Sequence, residues 1–234
     1  MTLAAVAIVL VAVPFATLLF EVLAKGPLTR LDTRIANRLN DVVYRSPAAV
    51  RILEIISWMG KPVSLWIVGA IAAGYVWWRG RHRLAAFLVV TPVVGGLIDT
   101  AVKILVNRPR PHVDHPIATA AGKSFPSGHS MSSTITYGAL LLVFLPAFRR
   151  RWRPYVVAAT VVLVLAIGCS RLLLGVHFLS DVIGGFVLGL AWLAAAVAAF
   201  ETWREEEGRR RTDPLSEGVE PEAGPALRDD APVS

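Results

Sequence analysis

The amino-acid sequence predicts an all-α polytopic membrane protein, in which six transmembrane helices form a bundle with an interfacial helix segment near the N-terminus. Composition is the first observation: 55% of the 234 residues are hydrophobic and 18% are charged, whereas about a quarter of a soluble domain is charged. The second observation is the length of the apolar runs, since roughly 20 apolar residues cross a bilayer. The chain therefore has no room for a large domain outside the membrane.

The first apolar run covers residues 3–23. It is longer than the apolar core of a signal peptide and no Lys or Arg precedes it, so an uncleaved helix is predicted. Residues 27–51 follow, with apolar side chains at helical spacing among charged ones. This pattern is typical of an amphipathic helix that lies at the membrane interface.

Five further apolar runs predict the second to sixth crossings. They cover residues 62–78, 84–106, 130–148, 154–169 and 178–200, and the first of them extends backward through residue 55. Two Arg-rich linkers, residues 79–83 and 149–153, are separated by two crossings and must lie on the same side. Since short cytoplasmic loops collect Lys and Arg, that side is the cytoplasm, and six crossings put both termini there.

The predicted domain organisation is a membrane-embedded domain over residues 1–203, with its motifs at about 99–190, and a tail over residues 204–234. The tail has few large apolar side chains among its Pro, Gly, Glu and Arg, so we expect it to be disordered and cytoplasmic. The first 200 residues carry 19 basic and seven acidic side chains. Topology signals, interfacial residues and an anionic substrate account for this surplus without nucleic acid.

Three groups of polar residues lie at ends of the predicted crossings, all on the extracytoplasmic face. They are Lys103 with Arg110 and Pro111, the tetrapeptide at 126–129, and Ser170 with Arg171, His177 and Asp181. Ionisable residues at membrane depth are costly, and they therefore indicate function. One fact remains outside this topology: seven basic residues within 25–61 also fall on the extracytoplasmic side.

The cationic members of these groups predict an anion site. Lys103, Arg110 and Arg171 supply three positive charges, and the planar fork of Arg can hold two phosphate oxygens at once. Ser127 and Gly128 precede a predicted helix, whose first N–H groups are free to receive an anion. The absence of a side chain at Gly128 lets the backbone approach closely.

The histidines predict acid–base and nucleophilic chemistry. His177 and Asp181 are four residues apart at the start of the last helix, so they share one face. Asp181 can accept a hydrogen bond from one imidazole nitrogen, which leaves the other nitrogen free as a nucleophile. His129, on a different helix, is suited to act as the general acid.

Simpler interpretations exist for these residues. The Lys and Arg side chains also fit interface anchors, and we prefer that interpretation for Arg108, Lys123 and the 149–153 linker. His177 with Asp181 also fits a structural pair between helices. Asp99, four residues before Lys103, either pairs with that lysine or merely satisfies a helix neighbour.

A metal site is the sharper alternative. The residues that favour it are His112, Asp114, His115, His129, His177 and Asp181. They include familiar metal-ligand types. The surrounding Lys and Arg would repel a cation, so we predict neither a metal nor another cofactor.

The three groups resemble the motifs of the type 2 phosphatidic acid phosphatase superfamily, which includes lipid phosphate phosphatases and vanadium haloperoxidases. The family patterns are Lys, six residues, Arg-Pro; Pro-Ser-Gly-His; and Ser-Arg, five residues, His, three residues, Asp. All three are complete here, at residues 103–111, 126–129 and 170–181. The one departure is an extra Arg-Pro pair at Arg108, and spacing alone selects Arg110.

By this resemblance, His177 attacks phosphorus to form a phosphohistidine, Asp181 orients it, and His129 protonates the leaving oxygen before activating water. The residues that the resemblance expects to hold the phosphoryl oxygens are Lys103, Arg110, Ser127, Gly128 and Arg171. Members of this kind need no divalent metal.

The membrane frame then implies a metal-independent phosphatase in a bacterial-type plasma membrane. Its substrate would be a lipid of the phosphatidic acid, phosphatidylglycerophosphate or undecaprenyl diphosphate class, which reaches the site from within the bilayer. The alternatives are a phosphotransferase that uses the same phosphohistidine, and a non-catalytic lipid-phosphate binder or transporter. A binder has no need of the nucleophile, so intact His177, Asp181 and His129 speak against it.

Overall fold

A computed structural model describes residues 2–24 and 26–227 of the chain, with side chains from Val13 onward. These described residues contain α-helices and short 3-10 turns, and no strand. The helices are α1 (Thr2–Leu23), α2 (Pro27–Val43), α3 (Pro47–Met59), α4 (Pro62–Trp78), α5 (His82–Val106), α6 (Gly128–Phe144), α7 (Arg153–Leu173), α8 (Leu179–Glu206) and α9 (Pro214–Glu217).

Four of these helices are long and apolar enough to cross a membrane: α5, α6 with its 3-10 extension, α7 and α8. Helices α3 and α4 together form a fifth candidate span, bent by 45°. The prediction of an all-helical membrane protein is therefore confirmed. The count of six stays a prediction, because α1 enters this comparison only through Val13–Leu23, and side chains 3–12 of the predicted first crossing lie outside the described residues.

The interfacial segment differs from its predicted extent. One helix was expected over residues 27–51, but α2 ends at Val43 and α3 begins at Pro47. Proline has no N–H to continue a helix, and the hydroxyl of Ser46 accepts a hydrogen bond from the Ala49 N–H at 3.3 Å, which caps the new helix. The predicted single helix is thus wrong, and the chain turns at Ser46.

Helices α5 to α8 alternate in direction across the bundle. The last turns of α5 and α7 and the first turns of α6 and α8 consequently meet at one end. Helices α6 and α8 approach closely there, since a Cβ at Gly185 would lie 2.6 Å from the carbonyl oxygen of Ser127. This end holds the three groups of polar residues at 103–111, 126–129 and 170–181.

The opposite end holds the main apolar cluster, where α4, α5, α6 and α8 meet. The tail packs into it: Val219 and Ala223 are fully buried and Leu227 is nearly so. The prediction of a disordered tail is therefore wrong for residues 204–227, because three apolar side chains at four-residue spacing cover the cluster. Residues 228–234 lie outside the described residues.

Candidate active site

A cavity of about 1020 Å³ opens where the four helix ends meet. Six of the eight predicted site residues line it: Lys103, Arg110, Gly128, His129, Arg171 and His177. Of the remaining two, Ser127 and Asp181, both are fully buried beside it. The alternating helices thus bring together residues that are far apart in the sequence.

His177 is held at the entrance to α8. The turn before it uses Gly175 at a φ of 72°, a backbone conformation that favours glycine. The Nδ1 atom of His177 lies 3.4 Å from Oδ2 of Asp181. The same Oδ2 accepts the Phe178 N–H at 2.8 Å and the hydroxyl of Ser124. Asp181 is therefore fixed behind Nδ1, as the four-residue spacing predicts.

The protonation of His177 suits a nucleophile. Burial lowers the pKa of His177 to about 4; Asp181 opposes this decrease, and the positive charges of Arg110 and Arg171 add to it. At neutral pH the ring is therefore uncharged, and its Nε2 can carry a lone pair. That Nε2 lies 3.1 Å from Nη1 of Arg110.

Arg110 is held by backbone carbonyls. Its guanidinium donates to the carbonyl oxygens of Gly122 at 3.1 Å, Ala121 at 2.8 Å and Val176 at 2.8 Å. Burial lowers the pKa of Arg110, but an arginine starts so high that it keeps its charge. The loop after α5 therefore places a fixed positive charge directly beside His177.

Lys103 and Gly128 form the opposite wall of the site. Lys103 forms an ion pair with Asp99 within α5. Of the two interpretations of Asp99, the structure therefore shows the pairing with Lys103. A Cβ at Gly128 would lie 3.1 Å from both Lys103 Nζ and Asp99 Oδ2. Glycine therefore lets the first turn of α6 approach this ion pair closely, whereas a methyl group would require the pair to shift by a few tenths of an ångström.

Arg171 and His129 complete the lining. Arg171 is buried and donates through Nη1 to the hydroxyl of Ser57 at 2.5 Å. The Nε2 atom of His129 is buried, and it has no hydrogen-bond partner among the described residues. A buried imidazole nitrogen without a partner is costly, and a ligand in this cavity would supply one.

Ser127 has a different position from the one predicted. Its hydroxyl caps α6 by accepting the Ser130 N–H at 3.4 Å, and it also accepts from the Ser130 hydroxyl at 3.0 Å. Its N–H donates to the carbonyl of Asp181 at 2.9 Å. Ser127 therefore joins the starts of α6 and α8, and it does not line the cavity.

Arg108 corrects the prediction of an interface anchor. Its side chain is only 7% exposed. It donates to Oδ1 of Asp181 at 2.5 Å and to Oδ2 of Asp32 at 2.8 Å. The extra Arg-Pro pair was the feature of the sequence that could have drawn attention to Arg108. In an irregular loop, however, a spacing of two residues does not show which way each side chain points, so the buried position could not be predicted.

Helix α3 and the corner after it contribute lining residues that the sequence did not identify. They are Arg51, Glu54, Ser57, Trp58 and Lys61. Arg51 and Lys61 are two of the seven basic residues that the predicted topology left unexplained. The surplus of basic residues on the predicted extracytoplasmic side was therefore the feature of the sequence that could have identified these lining residues.

Three of the six residues of the metal alternative, His112, Asp114 and His115, do not line the cavity. The ring of His115 stacks on Tyr44 at 3.9 Å between centroids. Within the described part of the chain, no group of three or more His, Cys, Asp or Glu is arranged to hold a metal ion.

Comparison with known proteins identifies the family. The model of the PAP2 superfamily, the type 2 phosphatidic acid phosphatases, matches residues 83–205. The chain belongs to this superfamily. The resemblance seen in the three motifs is therefore confirmed.

Named relatives of this PAP2 chain are lipid phosphatases. Phosphatidylglycerophosphatase B of Bacillus subtilis is 33% identical over 153 residues, which are 64% of this chain and 74% of the relative. Lipid A 1-phosphatase of Rhizobium etli is 32% identical over 133 residues, 53% of this chain and 51% of the relative. The chain thus spans about half of that second protein. The PAP2 chain is accordingly an enzyme, a phosphoric ester hydrolase.

A solved structure shows the same fold. The crystal structure of a transmembrane PAP2-type phosphatidylglycerolphosphate phosphatase from Bacillus subtilis matches with a TM-score of 0.69 at 24% sequence identity. The match covers 85% of this chain and 97% of that chain. The helical architecture is therefore that of a PAP2 membrane phosphatase.

Proposed function

We propose that this PAP2 enzyme hydrolyses a lipid phosphomonoester or diphosphate, of the phosphatidic acid, phosphatidylglycerophosphate or undecaprenyl diphosphate class, through a phosphohistidine on His177. The observation that carries the proposal is the position of His177, whose Nε2 lies 3.1 Å from Nη1 of Arg110 in a cavity also lined by Lys103 and Arg171. Phosphoryl transfer depends chiefly on positioning and on stabilising charge on the equatorial oxygens. Fixed cations supply that stabilisation.

In the first step the lone pair on Nε2 of His177 forms a bond to phosphorus, and the bond from phosphorus to the leaving oxygen breaks. His129 donates a proton to that oxygen, and Asp181 stabilises the positive charge on the phosphorylated ring. In the second step water attacks phosphorus, His129 removes a proton from the water, and the P–N bond breaks. Inorganic phosphate leaves, and His177 returns to its uncharged form.

The lipid nature of the substrate is supported by a second cavity, of about 400 Å³, between α4 and α5. Its walls are mostly apolar, and Pro62, Asp99 and Ser132 line both cavities. A phosphate in the first cavity and an apolar chain in the second would match this division of polar and apolar surface.

The decisive test is phosphate release from these lipids by the purified protein in EDTA. The wild type should release phosphate and His177→Ala should not, while His112→Ala, an exposed histidine outside the cavity, should retain wild-type activity. Equal release by the wild type and His177→Ala would contradict the mechanism. A trapped, acid-labile and base-stable phosphohistidine would distinguish hydrolysis from simple binding, and vanadate, which mimics five-coordinate phosphorus, should inhibit.

The topology that accompanies this function has six crossings, with α1 as the first and α3–α4 as the second. Both termini and the Arg-rich linkers are cytoplasmic, and the site faces the other side. The arrangement is supported by the position of those linkers at the end of the bundle away from the cavity. In intact cells, and with Cys169 replaced by Ser, a membrane-impermeant maleimide should label Ala118→Cys but not Arg151→Cys; the reverse labelling would contradict this topology.

A further inference from the structure

A carboxylate from α2 reaches the start of α8. Asp32 is fully buried, and its Oδ1 accepts the N–H of Ser180 at 3.0 Å. Its Oδ2 accepts the Ser180 hydroxyl at 2.5 Å. Since Ser180 is the second residue of α8, Asp32 satisfies an N–H that no residue within the helix can bond, at the end where a negative charge is favourable.

Arg108 joins this carboxylate to Asp181. One prong of its guanidinium, Nη2, donates to Asp32 at 2.8 Å, and the other, Nη1, donates to Asp181 at 2.5 Å and to the Ser180 hydroxyl at 2.7 Å. The guanidinium also lies 4.3 Å above the ring of Phe178. Two buried carboxylates this close would repel each other without the cation between them.

Asp181 is consequently held through both oxygens. Arg108 binds Oδ1, whereas Ser124 and the Phe178 N–H bind Oδ2, the oxygen nearest to Nδ1 of His177. The carboxylate cannot rotate without breaking bonds on both sides. The orientation of His177 therefore depends on contacts that begin 145 positions earlier in the chain, at Asp32.

We propose that Asp32 and Arg108 are positioning residues for phosphoryl transfer, which hold Asp181 and the start of α8 so that His177 stays aligned for attack. The inference rests on the proposed function and deepens it. Asp32, Arg108 and Asp181 together carry one net negative charge beside the ring, which balances the positive charge that His177 gains on phosphorylation. The proposal also gives helix α2 a defined role in the site, although α2 lies outside the region matched by the family model.

The test compares conservative variants of both residues with matched controls on the exposed face of α2. Asp32→Asn and Arg108→Lys should each lower kcat by about tenfold to a hundredfold, because a misplacement near 1 Å can cost about a hundredfold. KM should change by less than about threefold, since the cavity cations are untouched. Arg108→Gln should lose more activity than Arg108→Lys, which keeps the charge but not the fork. Asp41→Asn and Arg38→Lys should match the wild type.

The pH profile provides a readout that misfolding would not move. The ionisable groups that face His177 are Asp181 on α8, Arg171 on α7, His129 on α6 and Arg110 in the loop after α5, and all four are unchanged in these variants. Asp32→Asn removes a negative charge, so the acid limb of kcat/KM should move to lower pH. Arg108→Gln removes a positive charge, so the limb should move to higher pH.

The outcomes separate the two proposals. A wild type no more active than His177→Ala would overturn both the proposed function and this inference. Wild-type kcat in Asp32→Asn, or acid limbs that move in the same direction in Asp32→Asn and Arg108→Gln, would overturn this inference alone. Elution volume and melting temperature in detergent establish whether each variant is folded. If Asp32→Asn does not fold, the kcat values and pH profiles of Arg108→Lys and Arg108→Gln test the inference instead.

Discussion

In the proposed mechanism, the charge state of the His177 imidazole controls when the site can act. His177 is buried, with 2% of its surface exposed, and this burial lowers the pKa of its ring. An imidazole in water has a pKa near 6.5 and would be partly protonated at neutral pH. Burial beside Arg110 and Arg171 therefore keeps His177, the proposed nucleophile, uncharged over a wider range of pH.

This state predicts the pH dependence of the reaction. Because the pKa of His177 is lowered to about 4, protonation of this ring should not reduce kcat/KM as the pH falls from neutrality, and a loss of activity from this cause should begin only as the pH passes about 4. The measurement is the pH profile of kcat/KM on a lipid phosphate in detergent micelles. An acid limb centred near pH 6.5, the value for a free imidazole, would contradict the prediction.

Gly128 allows a second prediction about a single residue. In Gly128→Ala the new methyl group would lie 3.1 Å from both Lys103 Nζ and Asp99 Oδ2, so the ammonium must shift by a few tenths of an ångström and its contact with the proposed phosphoryl group weakens. We expect kcat/KM to fall about tenfold, the loss of about 1.4 kcal/mol of transition-state stabilisation. The matched control is Gly74→Ala, exposed on α4 with nothing within 4 Å of the added Cβ, which should be silent.

Among the helices, the contact of α6 with α8 determines the geometry of the site. His129 belongs to α6, and Asp181 belongs to α8. The N–H of Ser127 bonds the carbonyl of Asp181 at 2.9 Å, which is possible only because Gly185 and Gly189 let the two backbones approach. Small residues at such a contact are typical of helix packing in membranes.

Gly185→Ala tests this contact. The added Cβ would lie 2.6 Å from the Ser127 carbonyl oxygen and 3.2 Å from the Met131 nitrogen. Backbone atoms cannot rotate away, so the helices must separate, at a cost of about 1–3 kcal/mol. The melting temperature in detergent should fall, and activity should fall with it. Gly96→Ala on α5, where nothing lies within 4 Å of the Cβ, should melt like the wild type; an equal effect in both variants would refute the role of the contact.

At the scale of the whole molecule, the bundle has two different ends. The polar cavity lies at one end, and at the other the tail covers the apolar cluster and pairs with buried Arg204. Glu222 binds this arginine at 2.9 Å, and the hydrogen bond with Arg204 lowers the pKa of Glu222. The backbone N–H of Val219 also donates to the carbonyl of Leu142 at 3.1 Å. The tail therefore belongs to the folded body.

Truncation of the tail should separate stability from catalysis. Deletion of residues 207–234 exposes the surface under Val219, Ala223 and Leu227 and leaves buried Arg204 without Glu222, which is strongly unfavourable. The melting temperature should drop by several degrees, whereas kcat at low temperature should stay close to the wild type because the cavity is at the other end. Deletion of residues 228–234 alone keeps every one of these contacts and should change neither the melting temperature nor kcat. If deletion of residues 207–234 lowered kcat without lowering the melting temperature, the separation of stability from catalysis would be contradicted.

Much of this protein follows from local sequence. The ends of helices α5 to α8 were predicted to within six residues, because a long apolar run in a bilayer must satisfy its own backbone. Their alternation predicts that Lys103, His129, Arg171 and His177 meet at one end. The three motifs also predict the family, because every position of the superfamily patterns that they resemble is present at residues 103–111, 126–129 and 170–181.

Tertiary structure decided what local spacing cannot. Asp32 and Arg108 meet across 76 positions. Arg51 and Lys61 reach the cavity because the chain bends at Pro47 and Pro62. Val219 is buried because it packs into the apolar cluster where α4, α5, α6 and α8 meet. In each case the pattern around the residue is compatible with an exposed position. The free energy that selects the observed position comes from contacts with distant parts of the chain, and these exist only once the helices have packed.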